Sequence, residues 1–183
     1  MRGRFCRFIN RRKKLLTFLQ LLIWPAVIAF VAGGAGVRLN LTASVPVGLY
    51  WVSSGPESHF LEFCPPEPFG SLSVERAYRT RSTACPDGGE PLLKPVVARE
   101  GDFVEVSSKG ISVNGSLIPN TGAKSHDTTG RPLSPWPLGF YLVTPGTVWV
   151  ASSYNSRSFD SRYFGPICSS EIRHVLRPLL TGR

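Results

Sequence analysis

Ser44 stands in the run NLTASVPVGLYWV, two residues after Thr42 and directly before Val45-Pro46. A serine hydroxyl becomes a nucleophile only when a neighbouring base can take its proton. After residue 38 the chain has three lysines. Lys109 in SSKG and Lys124 in GAKSHD sit in turn-like, solvated runs, whereas Lys94 sits in PLLKPVVA, flanked by Leu92, Leu93, Pro95, Val96 and Val97. Apolar surroundings disfavour an ammonium, so the Lys94 pKa is expected to fall from about 10.4 toward neutrality. A neutral amine can then act as general base, a task that arginine cannot perform. The competing reading is a lysine snorkelling from a strand edge. A third segment, SYNSRSFDSRYFGPI, puts Ser158, Asp160 and Arg162 on one face of an extended chain by period-2 geometry. Such a face offers a hydroxyl to orient an amine and a carboxylate paired with a guanidinium. A solvated loop with a surface ion pair is the simpler alternative. His59, His126 and His174 are scattered and no CxxC or Cys/His spacing occurs, so neither a metal site nor a cofactor is expected.

These groups need elements to hold them, and the charge map indicates where those elements lie. The net charge of +9 suggests nucleic-acid binding until it is placed along the chain. Arg2, Arg4, Arg7, Arg11, Arg12, Lys13 and Lys14 precede residue 15 with no acidic residue among them. The other 14 Lys and Arg face all 12 Asp and Glu, leaving +2. A nearly neutral body implies no basic groove and no nucleic-acid partner. Leu15 to Val37 then gives 23 residues without a charge. As a helix this run spans about 35 Å, enough for a hydrocarbon core of about 30 Å. Pro25 is expected to kink it, and Gly33, Gly34 and Gly36 to loosen its end. The flanking cations predict a cytoplasmic N-terminus. The expected organisation is a basic head over 1–14, a transmembrane helix over 15–37 and an external domain over 38–183. A cleavable secretory signal is the alternative for the apolar run.

Cys6 lies in the head, and Cys64, Cys85 and Cys168 lie outside, where disulfides persist. Cys64 and Cys85 bracket an irregular Pro/Gly-rich segment within an insert over 60–90. A bridge closing that loop of about 22 residues is expected to contribute about 3 kcal/mol. Cys168 is then expected to be a buried thiol. With 18 Gly and 16 Pro the external chain breaks into short apolar pieces that read as strands. Asn114-Gly115 marks a hairpin, and turns are expected at Arg99-Glu100-Gly101 and Thr144-Pro145-Gly146. The fold class is therefore mostly β, an antiparallel barrel-like core. The last residues, SSEIRHVLRPLLTGR, are expected to form a short basic helix.

Ser44-Val45-Pro46, Lys94 followed by Arg99-Glu100-Gly101-Asp102, and Ser158-Phe159-Asp160-Ser161-Arg162-Tyr163-Phe164-Gly165 together resemble the type I signal peptidases. That family is membrane-anchored, with a Ser–Lys dyad in a mostly β core. The resemblance implies Ser44 as nucleophile and Lys94 as its base. It implies that Thr42 helps the Ser44 backbone form the oxyanion hole, and that Ser158, Asp160 and Arg162 support the site. The chain departs from the general pattern in three places. Val45 stands where methionine is usual, Tyr154-Asn155-Ser156-Arg157 replaces a Gly-Asp-Asn-Arg-type run, and the cysteine-bracketed insert precedes the lysine strand. These features resemble more closely the TraF-type peptidases of conjugative transfer, which mature a pilin subunit and in some members cyclise it. The implied partners are the membrane and a precursor protein, a pilin or another signal-peptide-bearing protein. The implied location is the bacterial inner membrane, single pass, with the peptidase domain periplasmic. A general leader peptidase and a non-catalytic anchored scaffold are the alternatives, and no residue decides between hydrolysis and cyclisation.

Overall fold

Residues at positive φ make two of the turns that join the strands of this domain. Gly101 (φ 87°) ends the excursion after the lysine strand, and Asn114 (φ 49°) with Gly115 (φ 82°) makes the tight hairpin that their sequence demands. The computed structural model describes residues 18, 20, 21, 23, 24, 27, 34–53, 55 and 59–182. The chain divides into two compact units, Met1–Arg38 and Leu39–Arg183. The basic head expected over 1–14 lies outside the described residues, as does most of the apolar run expected to span a membrane. Of that run, residues 18, 20, 21, 23, 24, 27 and 34 are helical. Among the described residues, no helix is long and apolar enough to cross a membrane. Val37 opens a strand rather than closing a helix.

The strands are β1 (Val37–Asn40), β2 (Gly48–Val52), β3 (Phe60–Phe63), β4 (Leu92–Ala98), β5 (Phe103–Ser107), β6 (Gly110–Val113), β7 (Ser116–Leu117), β8 (Gly139–Leu142), β9 (Thr147–Val150), β10 (Ile167–Cys168) and β11 (Ile172–Thr181). Two short helices, α1 (Phe69–Glu75) and α2 (Ser161–Phe164), interrupt them. Seven strands form one sheet in the order β1-β2-β11-β3-β4-β9-β10, and four form a second in the order β7-β6-β5-β8. The barrel-like expectation is corrected to two open sheets. The turn Asp102 N to Arg99 O carries the chain out of β4 into the second sheet. The free side of β4 is taken by β9, and the large sheet ends at β10.

The C-terminal helix is also corrected, because Ile172–Thr181 is the longest strand. It lies antiparallel between β2 and β3. Leu176 is fully buried with Tyr50 and Phe60, delivered there by pairing with β2 on one side and β3 on the other. Pro178, with no N–H to give, sits beside the register shift between Pro178 and Leu180.

The segment from Cys64 to β4 is mostly irregular, and polar contacts fix it. Cys64 and Cys85 are disulfide-bonded, with Cα atoms 5.7 Å apart. Inside the loop, buried Arg79 meets Asp87 at 2.7 Å and donates to Ser73 Oγ, Gly70 O and Glu90 O. β3, expected within the insert, belongs to the large sheet. Cys168 is exposed, not buried, because Ile167 takes the inward place in the two-residue strand they share.

Candidate active site

Asn40, at the end of β1, shapes the loop that presents Ser44. Its Nδ2 donates to the carbonyls of Thr42 (2.8 Å), Pro46 (3.2 Å) and Val45 (3.3 Å), while its Oδ1 accepts from Thr42 N (3.1 Å) and Thr42 Oγ1 (2.7 Å). Tyr50 OH donates to Pro46 O from the adjoining strand at 2.7 Å. One buried amide thus ties down both ends of residues 42–46, and Ser44 is held buried at its centre. Nothing in the sequence singles out Asn40, because the loop it organises exists only once the chain has turned back on itself. Thr42 is exposed, with its hydroxyl proton on Asn40.

Lys94 is the third residue of β4 and pairs with Leu61 of β3. Strand alternation points it inward, where it is 4% exposed. Its Nζ lies 2.6 Å from Ser44 Oγ and 2.8 Å from Ser158 Oγ, and the two hydroxyl oxygens are 3.3 Å apart. Burial pushes the amine down from 10.5 to about 8; Asp160 opposes that shift and Arg162 adds to it.

Asp160 and Arg162 form a wholly buried pair below this triangle. Asp160 caps α2, accepting from Arg162 N, and takes Arg162 Nε on Oδ1 (2.8 Å) and a terminal nitrogen on Oδ2 (2.9 Å). The guanidinium also reaches Asn120 O, Ser156 O and Ser152 O, so it ties together two separate stretches of backbone. Ser152 N returns a hydrogen bond to Asp160, and Val150 N donates to Ser161 Oγ. The pair therefore staples β9 to the segment carrying Ser158. Its carboxylate is committed to arginine and backbone, which leaves Lys94 with hydroxyl partners.

Ser44, Lys94 and Ser158 open on a cleft of about 220 Å3. Tyr78 of the insert and the 124–133 loop form its far wall. That wall is pinned by Tyr78 OH on Asp127 (2.6 Å), Arg131 on Asp127 (2.6 Å), Arg131 on Arg76 O (3.0 Å) and Arg76 on Pro132 O (2.7 Å). No sequence motif marked this wall. Among the described residues no cluster of His, Cys, Asp and Glu suits a metal ion. The arrangement can move a proton between a hydroxyl and a buried amine at the edge of a cleft.

A family model described as signal peptidase, peptidase S26, matches residues 15–177. A plasmid transfer protein TraF of Escherichia coli is 40% identical over 162 residues, 85% of this chain and 90% of that protein. The conjugal transfer protein TraF of Agrobacterium fabrum is 37% identical over 151 residues, 80% of this chain and 83% of its own. A probable conjugal transfer protein TraF of Sinorhizobium fredii is 34% identical over 179 residues, covering 94% and 92%. Among solved structures, a signal peptidase I of Enterococcus faecalis aligns with 69% of this chain and 99% of its own, at 19% identity and a TM-score of 0.38.

Proposed function

The chain belongs to the peptidase S26 family of signal peptidases, and on that premise we propose that it is a serine endopeptidase with Ser44 as nucleophile and Lys94 as general base. The observation that carries this reading is the 2.6 Å contact between Ser44 Oγ and a buried amine whose own neighbours are hydroxyls. The neutral Lys94 amine takes the Ser44 proton as Oγ bonds to the scissile carbonyl carbon. The charged oxygen of that adduct is received by the Ser44 backbone N–H, joined by Thr42 once its hydroxyl turns from Asn40. Collapse breaks the C–N bond, and the Lys94 ammonium returns the proton to the leaving amine. Ser158 holds the amine on line, and Asp160 with Arg162 fixes the segment carrying Ser158. The acyl group on Ser44 then passes to water, giving a linear product, or to an amine. If that amine is the substrate's own N-terminus, the product is cyclic.

The plasmid-transfer relatives favour an exported precursor of a conjugation apparatus as substrate, a pilin subunit first among them. Anchoring through residues 15–37 would set the domain at the outer face of the inner membrane, where such precursors emerge. The test is precursor processing in cells that carry Ser44→Ala or Lys94→Arg. Both variants should leave the precursor intact, and full processing by either overturns the dyad. The mass of the mature product decides its fate, since a cyclic product is lighter than the linear one by one water.

A further inference from the structure

The cleft beside Ser44 holds two cations that the dyad chemistry does not use. Lys124 and Arg157 line it together with Ser44 and Lys94. Both side chains are exposed, and among the described residues neither enters a salt bridge. Their backbones are nevertheless tied to the site itself. Lys124 N donates to Tyr163 OH at 2.9 Å, and Tyr163 belongs to the same helix as Arg162. Arg157 precedes Ser158 directly, and its backbone N donates to Asn155 Oδ1 at 2.9 Å. Among the described lining residues the one carboxylate is Asp127, and it is already engaged. Arg131 and Tyr78 hold its Oδ2, while Thr129 and the Arg131 backbone hold its Oδ1.

The cleft therefore carries uncompensated positive charge, and a concave surface lined by one sign of charge focuses that field on an anion more than an open surface would. A peptide with only small apolar residues would leave both cations unanswered. Resting on the reading of Ser44 as nucleophile, we infer that the cleft selects a substrate carboxylate, received by Lys124 and Arg157. The carboxylate has two sources with the same chemistry, an Asp or Glu side chain near the scissile bond or the substrate's free C-terminus. Arginine offers a planar fork for it and lysine a compact point charge.

The test uses the full chain in detergent micelles and one peptide sequence made in several forms. Glu, Gln or Lys is scanned through the positions flanking the cleaved bond, and each peptide carries a free or an amidated C-terminus. Cleavage is followed by mass spectrometry with wild-type protein, and binding by fluorescence anisotropy with Ser44→Ala. At one position Glu should exceed Gln in kcat/KM by about tenfold, or the free acid should exceed the amide by a similar factor, the size of one charge-assisted contact. The position or the terminus that responds identifies the source of the carboxylate. Lys124→Gln and Arg157→Gln should each bring the ratio toward one, and Lys124→Glu with Arg157→Glu should turn the preference to the Lys peptides. Both residues are exposed, so unchanged thermal unfolding of the variants confirms that the fold is intact. Equal cleavage and equal binding of charged and neutral forms overturn the inference and leave the peptidase reading standing. Binding that favours the carboxylate with no cleavage by wild-type protein overturns the peptidase reading and leaves carboxylate selection in place.

Discussion

Arg79 in the disulfide-bracketed insert and Lys94 in β4 are buried to similar depth, 7% and 4% exposed, but their neighbours differ in kind. Arg79 faces the Asp87 carboxylate, a serine hydroxyl and two carbonyls. Lys94 meets two hydroxyls, and burial lowers its pKa to about 8. A buried arginine keeps its charge and so needs a carboxylate, and the pair ties an irregular segment together. A buried lysine denied a carboxylate tends to lose its proton and so becomes a base. The floor of the site uses the first arrangement to enforce the second. The Asp160 charge acts to raise the Lys94 pKa, yet Arg162 and the backbone occupy its oxygens.

Substitutions at the two positions should therefore separate activity from stability. The largest effect is expected at the dyad. Lys94→Arg should lower kcat/KM for precursor cleavage by about a thousandfold or more, since a permanent cation cannot accept the Ser44 proton. Lys94→Met should be equally inactive, yet unfold in urea at or above the wild-type midpoint, because it removes a buried amine without stranding a charge. Next, Arg79→Met strands Asp87, and should cost about 3–5 kcal/mol in the same urea titration while the remaining folded protein keeps its chemistry. If Arg79→Met is neutral and Lys94→Met destabilises, the contrast between the two cations is reversed and the account fails.

Opening the Cys64–Cys85 bridge by a double serine substitution frees a loop with a sequence separation of 21, and should cost about 3 kcal/mol. Because Tyr78 of that insert is bonded to Asp127 in the cleft wall, KM should rise more than kcat falls. A smaller effect belongs to Asn40→Ala, about 1–2 kcal/mol in stability, with kcat falling more than KM as the Ser44 loop loses its tie. The pH dependence of stability sharpens the comparison further. The folded Lys94 pKa of about 8 lies below the ordinary lysine value of 10.5, so the folded state releases the proton first. Between those pH values the unfolded chain binds more protons, and Lys94's contribution to stability rises with pH. Lys94→Met should lack that rise.

Much of the site was legible because its chemistry is written in residue type. A lysine between leucines and valines fits burial as well as snorkelling, and the structure buries it. Ser158, Asp160 and Arg162 do converge, but through the turn into α2 and not at period 2 along an extended chain. Ser44 and Ser158 lie 50 and 64 residues from Lys94, and strand pairing closes both distances to hydrogen-bond length. What was hidden depends on partners far along the chain. Arg173, His174, Arg177 and Pro178 disguise β11, whose strand form is imposed by β2 on one side and β3 on the other. Asn40 reads as an ordinary polar residue until residues 42–46 fold around it. Lys124 and Arg157 read as loop charges until Tyr163 and Ser158 bring them to one cleft. The barrel expectation failed for a related reason, since alternation predicts strands and not which edge each one joins.

The pH profile of kcat/KM for precursor cleavage tests the central claim most directly, because it titrates the base in the free enzyme. With Lys94 in that role, activity should be low in weak acid, rise with pH and level off above an apparent pKa of about 8. A profile flat between about pH 6 and 10, or one governed by a midpoint near the ordinary histidine value of about 6.5, would contradict it.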